Sequence, residues 1–315
     1  MDRVDKIIAD SERDIQSAFQ KIDDIAYDNQ RRVLEAFRSH RITSEHFVAG
    51  TGYGYNDLGR DTLESMYAEL FGGEDALVRS QLVSGTHALS TALFALLDAG
   101  DLLLSAVGEP YDTLQSKITG KNGLQARGVG YQAIPVNEEG SYYAKLLTQV
   151  VANNPRVVLL QRSRGYSSTR KTLTIREITE IIRLIKEINS EIIILVDNCY
   201  GEFVEKIEPG HVGADLVAGS LIKNPGGGLA AGGGYIVGKR ELVELAADQL
   251  IAPGLGKEIG PSLYDMRTVY QGLFLAPHVV SEALKGAVLT ARALEMLGLN
   301  VTPGWEEVRG DIVQA

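Results

Sequence analysis

Three short segments of this 315-residue chain carry groups that suit one kind of chemistry. The segment 84–86 (Ser-Gly-Thr) joins an apolar run to a helical pattern, and such a turn offers free backbone N–H groups to an anion. Asp197 directly follows the apolar run Ile192–Val196, where a buried carboxylate needs a cation beside it. Lys223 stands shortly before three consecutive glycines, so its amine has room for a bulky group, and a partly desolvated lysine amine attacks carbonyls.

Each segment also has an ordinary interpretation on its own: a plain strand-to-helix turn, a solvated strand-end aspartate and a surface lysine. Together, an anion-binding turn, an acid and an amine match the needs of pyridoxal phosphate (PLP), an aldehyde with a phosphate tail. We expect Lys223 to form a Schiff base with that aldehyde, and Asp197 to keep the ring nitrogen protonated so that the ring accepts electrons. Ser84, Gly85 and Thr86 would then hold the phosphate.

Two further side chains fit the same prediction. Ser220 stands three residues before Lys223, so its hydroxyl can reach the phosphate. Tyr111 follows the apolar run 102–107, where its ring can stack on the face of the cofactor; a core or rim tyrosine is the alternative. The expected catalytic residues are therefore Lys223, Asp197 and Tyr111.

The elements that must position these residues alternate between strand and helix. Short apolar runs predict strands at 76–83, 102–107, 130–136, 156–160, 192–196, 215–218 and 235–237, and helical periods lie between most of them. This alternation is typical of an α/β fold with a mainly parallel sheet covered on both faces. Functional sites of such sheets lie at the carboxyl ends of the strands, where the candidate residues stand.

Composition limits the classes of protein that this chain can represent. The 31 Lys and Arg against 41 Asp and Glu give a net charge of −10, which disfavours nucleic acid as the main partner. The single cysteine, Cys199, excludes an intrachain disulfide and a cysteine-rich metal site, and the histidines show no metal-ligand spacing. With no apolar run long enough to span a membrane and no signal peptide, we expect a cytoplasmic protein.

The chain resembles fold-type I PLP enzymes of the cystathionine/methionine γ-lyase superfamily. It is most similar to a bacterial branch called methionine γ-lyase-like or aluminium-resistance proteins. The resemblance covers nearly the whole chain and is carried by segments 51–64 (TGYGYNDLGRDTLE), 84–88 (SGTHA), 108–114 (GEPYDTL), 161–167 (QRSRGYS), 196–203 (VDNCYGEF) and 219–228 (GSLIKNPGGG). It implies the same roles for Lys223, Asp197, Tyr111 and Ser220, and for the turn 84–86.

The resemblance also implies residues that the spacing alone does not indicate. Tyr53 and Tyr55 fall where relatives supply a tyrosine to the phosphate of the neighbouring subunit, so we expect a homodimer or homotetramer. Arg162 and Arg164 follow a strand end at which relatives hold the cofactor's ring oxygen and the substrate carboxylate. We expect one of them to bind a substrate anion; an internal salt bridge is the alternative.

The domain organisation that follows has three parts. An N-terminal helical arm spans 1–50, a PLP-binding large domain spans 51–280, and 281–315 holds a linking helix and the start of a C-terminal domain that relatives carry in full. The expected function is a carbon–sulfur lyase acting on a sulfur-containing amino acid by β- or γ-elimination. The alternatives are an inactive remnant with a binding or regulatory role, and a PLP-dependent transaminase or aldolase.

Overall fold

The alternating apolar runs and helical periods form a sheet that is covered by helices on both faces. The computed structural model describes residues 3–135, 142–167, 170–263 and 266–315. The helices are α1 (Arg3–Asp14), α2 (Gln16–Ser39), α3 (Leu58–Phe71), α4 (Gly85–Leu96), α5 (Asp112–Thr119), α6 (Tyr142–Asn153), α7 (Ile175–Ile188), α8 (Arg240–Leu250) and α9 (Met266–Met296). The strands are β1 (Asp75–Arg79), β2 (Leu102–Ser105), β3 (Gly130–Ala133), β4 (Val157–Gln161), β5 (Ile193–Asp197), β6 (Leu216–Ser220) and β7 (Gly234–Gly238).

The strands of the described residues make one sheet in the order β1-β7-β6-β5-β4-β2-β3. Neighbours from β6 across to β3 run parallel, whereas β7 is antiparallel to both β1 and β6. The prediction of a mainly parallel α/β sheet is therefore confirmed. Because β4, β5 and β6 are adjacent and parallel, their carboxyl ends meet at one edge, where Gln161 lies opposite Asp197 and Asp197 opposite Ala218.

Two apolar layers hold the sheet between its helices. Helices α4, α5 and α8 pack on one face, while α2, α3, α6, α7 and α9 pack on the other. Helix α7 shows how the sequence specifies this arrangement, because its buried isoleucines recur at three- and four-residue steps on one face. A reciprocal cap starts that helix: the Thr174 side chain accepts from the Glu177 N–H, and the Glu177 carboxylate accepts from the Thr174 N–H.

The last helix is longer than the sequence pattern predicts. The pattern places a helix after Pro277, but α9 begins at Met266 and includes Pro277 as a buried residue, so the domain boundary expected after residue 280 falls inside a helix. Packing of α9 against α1 and α2 outweighs the hydrogen bond that a proline removes. One helix among the described residues, α9, is long and apolar enough to cross a membrane, but half of its most apolar window is buried within the fold.

The segment after α9 is fixed to the end of β4. Asp311 is 1 % exposed, and its carboxylate accepts hydrogen bonds from the Ser163 hydroxyl at 2.6 Å, the Arg164 N–H at 3.1 Å and the Thr172 hydroxyl at 3.0 Å. These three donors tie this segment to the carboxyl edge of the sheet.

Candidate active site

Lys223 lies in a tight turn that begins where β6 ends. Its own N–H donates to the Ser220 carbonyl at 3.4 Å, and its carbonyl accepts from the Gly226 N–H at 3.1 Å. A side chain on Gly227 would meet the Gly272 carbonyl oxygen at 2.3 Å, and φ there is +54°, so the turn packs against α9 only because glycine stands at that position. The Lys223 Nζ lies 4.0 Å from the centre of the Tyr200 ring, within cation–π distance.

Asp197 closes β5 and is 2 % exposed. Its carboxylate accepts from the Cys199 N–H at 3.1 Å. Burial raises the pKa of Asp197, while the charge of Lys223, the bond from Cys199 and the charge of Arg170 act to lower it. A cationic N–H group beside this carboxylate would favour its ionised form. The protonated nitrogen of a pyridine ring would be such a group.

The Lys223 amine responds to the same group of neighbours. Burial acts to lower the pKa of Lys223, but Cys199, Asp197, Tyr200 and Glu202 together raise it to about 12. Asp197 ends β5 opposite Ala218 of β6, and the Lys223 amine contacts Tyr200, three residues after Asp197. The structure therefore brings the amine and the acid to the same edge of the sheet, although 26 residues separate them along the chain.

The start of α4 completes an anion cradle against β6. The Ser84 hydroxyl accepts from the His87 N–H at 3.1 Å and so caps the helix. The Ala88 N–H donates to the Ser84 carbonyl, so the Gly85 and Thr86 amides are the first-turn donors that a ligand can use. A Cβ on Gly85 would lie 2.9 Å from the Cys199 Sγ and 3.3 Å from the Ser220 Cβ. The helix start therefore approaches the end of β6 more closely than any larger residue allows.

Ser220 supplies the clearest sign that this cradle is built for a ligand. Its side chain is 1 % exposed, and its hydroxyl has no hydrogen-bond partner within the parts of the chain that the structure describes. A buried hydroxyl without a partner is costly and rare in folded proteins. Beside a helix N-terminus, the donor that it offers fits a phosphate, so the residues present suit the PLP phosphate.

Tyr111 lies at the same edge of the sheet. Its backbone N–H donates to the Gln161 side-chain oxygen at 3.2 Å, and its hydroxyl is 3.0 Å from the Thr86 hydroxyl. Burial and the charge of Asp197 raise the pKa of Tyr111, which keeps the phenol neutral. The structure thus places Tyr111 beside the cradle and the end of β4; stacking of its ring on the cofactor stays a prediction.

Arg162 does not reach this site. It is fully buried, and its guanidinium pairs with Glu205 at 2.9 Å and Glu208 at 3.5 Å and donates to the Asn198 side chain at 2.8 Å. These contacts match the alternative interpretation of Arg162, an internal salt bridge, and not the binding of a substrate anion. The end of β4 lies beneath the turn after β5, so the Arg162 guanidinium faces carboxylates of its own chain.

Arg164 is also bound within the chain. Its guanidinium donates to the Thr302 carbonyl at 2.6 Å and to the Ser167 carbonyl at 3.0 Å, and it is 3 % exposed. These bonds fix the segment after α9 to the loop after β4. The structure therefore gives neither arginine the free guanidinium that the sequence analysis expected for a substrate anion.

Tyr53 and Tyr55 lie in the loop before α3, exposed by 77 % and 57 %, with ring centres 6.3 Å apart. Their contribution to a neighbouring subunit stays a prediction. Nearby Arg60 is 3 % exposed and donates to the carbonyls of Gly54 and Gly260, which makes it a support of the loop that carries these rings.

Sequence reasoning missed three residues at the site: Tyr200, Glu202 and Arg170. The first two follow β5, in a turn where Tyr200 adopts a φ of +69°, a conformation that is rare for a bulky residue. Arg170 is half-buried, donates to the Glu109 carbonyl and interacts with Asp197. The tight succession of polar residues after a strand end is the only sequence signal for the first pair, and Arg170 has none.

The fold is the α/β architecture of PLP-dependent fold type I. The PLP-dependent protein YhfS from Escherichia coli shares the architecture with a TM-score of 0.66, covering 90 % of this chain and 73 % of its own at 18 % identity. That likeness shows the fold alone.

The chain belongs to the methionine gamma-lyase family, which it matches over residues 4–315. YnbB of Bacillus subtilis is 50 % identical over 316 aligned residues, which cover 98 % of this chain and 75 % of YnbB. A crystal structure from Listeria innocua, described as a proposed cystathionine beta-lyase involved in aluminium resistance, has a TM-score of 0.96. It is 47 % identical and covers 100 % of this chain and 78 % of its own.

Proposed function

We propose that this chain is a PLP-dependent carbon–sulfur lyase that acts on a sulfur-containing amino acid. The observation that carries the proposal is the convergence of the Lys223 amine, the Asp197 carboxylate and the unpartnered Ser220 hydroxyl at one edge of the sheet. When bound, PLP supplies an electron sink that stabilises negative charge on the substrate α-carbon. Family membership and the activity proposed for the Listeria relative support the choice of carbon–sulfur bond cleavage.

The chain's own residues would hold the cofactor at three points. Ser220 and the first-turn amides of α4 would donate hydrogen bonds to its phosphate. Asp197 would accept from its ring nitrogen and hold the proton there. Tyr111, tied to Gln161 and Thr86, would cover one face of the ring and exclude water from it.

Proton movement falls to Lys223. Its raised pKa means that the amine is charged in the free chain, with Asp197 and Tyr200 stabilising the ammonium. Once it has lost that proton, the neutral amine is the base that can take the substrate α-proton and return it to a neighbouring atom. The cation–π contact with Tyr200 holds Nζ in place for both roles.

Arg170 would bind the substrate carboxylate in place of Arg162 and Arg164. Its guanidinium is half-buried beside Asp197, and burial lowers the pKa of Arg170. A substrate anion beside this guanidinium would stabilise its charged form. Since carboxylates bind arginine through paired hydrogen bonds, this placement would orient any α-amino acid.

The test of this function is turnover with cystathionine, methionine and cysteine, followed by detection of released thiol and 2-oxo acid. Activity should fall below detection in Lys223→Ala and should be unchanged in Lys121→Ala, which removes an exposed lysine. A Lys223→Ala protein that still releases thiol would contradict the proposal. Amino-group transfer without thiol release would instead favour a transaminase.

Assembly is part of the same proposal. The exposed Tyr53 and Tyr55 are placed on a supported loop rather than in the site of their own chain, which suits a contribution to the phosphate of a partner in a homodimer or homotetramer. Light scattering should show at least a dimer, and a monomer with full PLP affinity would rule out this role for the two tyrosines.

A further inference from the structure

A buried carboxyl lies behind the Lys223 turn and takes no part in the function described above. Glu202 is fully buried. One of its oxygens accepts from the Tyr235 hydroxyl at 2.8 Å, and the other has no hydrogen-bond partner in the described part of the chain. No lysine or arginine among the described residues lies within 4.0 Å of it. A buried carboxyl with so few partners is unfavourable unless it serves a purpose.

Two contacts connect the turn of Glu202 with the turn of Lys223. The Glu202 carbonyl accepts from the Asn224 side chain at 2.9 Å, and Asn224 is the residue next to Lys223. Two residues before Glu202, the Tyr200 ring contacts the Lys223 Nζ. The turn after β5 therefore determines where the amine lies.

Charge connects the two residues as well. Burial raises the pKa of Glu202 to about 8. The backbone N–H of Glu202 itself, the Tyr235 hydroxyl and the charge of Lys223 act to lower this pKa, and Glu208 acts to raise it. Two further titratable groups face Glu202: the buried Cys199 thiol, and Tyr67 of α3, whose hydroxyl also lacks a partner among the described residues. In return, Glu202 joins Cys199, Asp197 and Tyr200 in favouring the charged form of the Lys223 amine.

We propose that Glu202 is a positioning residue for Lys223, and that its buried carboxyl sets the pH at which the Lys223 amine gives up its proton. In its neutral form Glu202 leaves the amine with fewer negative neighbours, so the proton departs more easily. In its ionised form it retains the ammonium. The proposal rests on the assignment of Lys223 as the reactive amine, and it adds the group that controls the charge of that amine.

The experiment measures the reactivity of Lys223 directly in the full chain, without PLP and without turnover. The chain is treated briefly with trace acetic anhydride at pH 9, and mass spectrometry gives the acetylation of Lys223 relative to exposed Lys121. In Glu202→Gln, which keeps the shape and removes the charge, we expect this ratio to rise roughly threefold to tenfold, since tenfold corresponds to one pKa unit.

Two further variants separate charge from structure. Tyr235→Phe removes the hydroxyl that stabilises ionised Glu202, so the acetylation ratio should rise by a smaller factor than in Glu202→Gln. This variant tests the proposal if Glu202→Gln does not fold. Tyr67→Phe removes a neighbouring hydroxyl that carries no charge, and the ratio should stay unchanged.

An unchanged ratio in both Glu202→Gln and Tyr235→Phe would overturn the proposal, and so would an equal rise in Tyr67→Phe. Borohydride treatment of the PLP-loaded unmodified chain makes the two failures distinguishable. If the cofactor is not fixed on Lys223, the proposed function fails; if it is fixed there and the acetylation ratio does not respond to Glu202, only the role of Glu202 fails.

Discussion

Replacement of Gly85 by alanine tests the anion cradle with one methyl group. The new Cβ would lie 2.9 Å from the Cys199 Sγ and 3.3 Å from the Ser220 Cβ. Both neighbours are buried, so neither can move freely. The methyl group therefore presses on the helix start and on the serine that together form the proposed phosphate site.

The magnitude follows from two opposing effects. Overpacking of a filled core costs about 1–3 kcal/mol, whereas alanine is favoured over glycine in a helix by roughly 0.5–1 kcal/mol. The free energy of unfolding should therefore fall by about 0–2.5 kcal/mol. PLP affinity should fall at least tenfold, because displacing Ser220 and narrowing the cradle weakens two or more hydrogen bonds to an anion, each worth about 1.5–3 kcal/mol.

Urea unfolding and PLP titration measure the two quantities separately. The double variant Gly85→Ala/Cys199→Ala removes the Sγ that the new methyl group meets, so stability should recover relative to Cys199→Ala while PLP affinity stays low. If Gly85→Ala binds PLP as tightly as the unmodified chain, the phosphate does not lie at this helix start and the assignment of the cradle is refuted.

Three further predictions concern Ser220, Glu202 and Asp311. Ser220→Ala should leave stability unchanged or raise it by about 1 kcal/mol, because it removes a buried hydroxyl that has no described partner, and should weaken PLP binding about tenfold; tighter binding would contradict this. The pKa of Glu202 is raised from 4.5 to about 8, so the folded state favours its protonated form. The protonated carboxyl therefore adds at most roughly 5 kcal/mol to the free energy of unfolding below about pH 4.5, and this contribution is lost as the pH rises to about 8. Urea unfolding across this pH range should show a weaker decline of the unfolding free energy in Glu202→Gln than in the unmodified chain. Parallel declines in the two proteins would refute the assignment. Asp311→Ala leaves four hydrogen-bond donors without their acceptor and should lower the unfolding free energy by about 3 kcal/mol; thermal unfolding should show it, and a loss below 1 kcal/mol would contradict it.

The arrangement of the strands and the placement of the main site residues could be predicted, because both follow from local sequence patterns. Apolar runs bounded by helical periods predict parallel strands, and parallel strands bring their carboxyl ends together. That single rule places Asp197 and Lys223 at one edge, as the structure has them. The predicted anion-binding turn 84–86 lies at the same edge, where Ser84 caps α4.

The contacts of Arg162 and Arg164 could not be predicted, because their partners are distant in the sequence. Arg162 follows a strand end as a substrate-binding residue would, and only the packing of Glu205 and Glu208 onto it shows that its charge is already paired. The start of α9 could not be predicted for a related reason: proline usually interrupts a helix, and the burial of Pro277 is visible only in the folded chain. For Glu202 the only local signal is the succession of polar residues after β5.

One peptide map tests the central claim most directly. The purified chain is loaded with PLP, reduced with borohydride and digested, and the mass of each lysine peptide is measured. The account predicts a single cofactor adduct, on Lys223, that is absent in Lys223→Ala. A cofactor fixed on any other lysine, or an adduct pattern unchanged by Lys223→Ala, would contradict it.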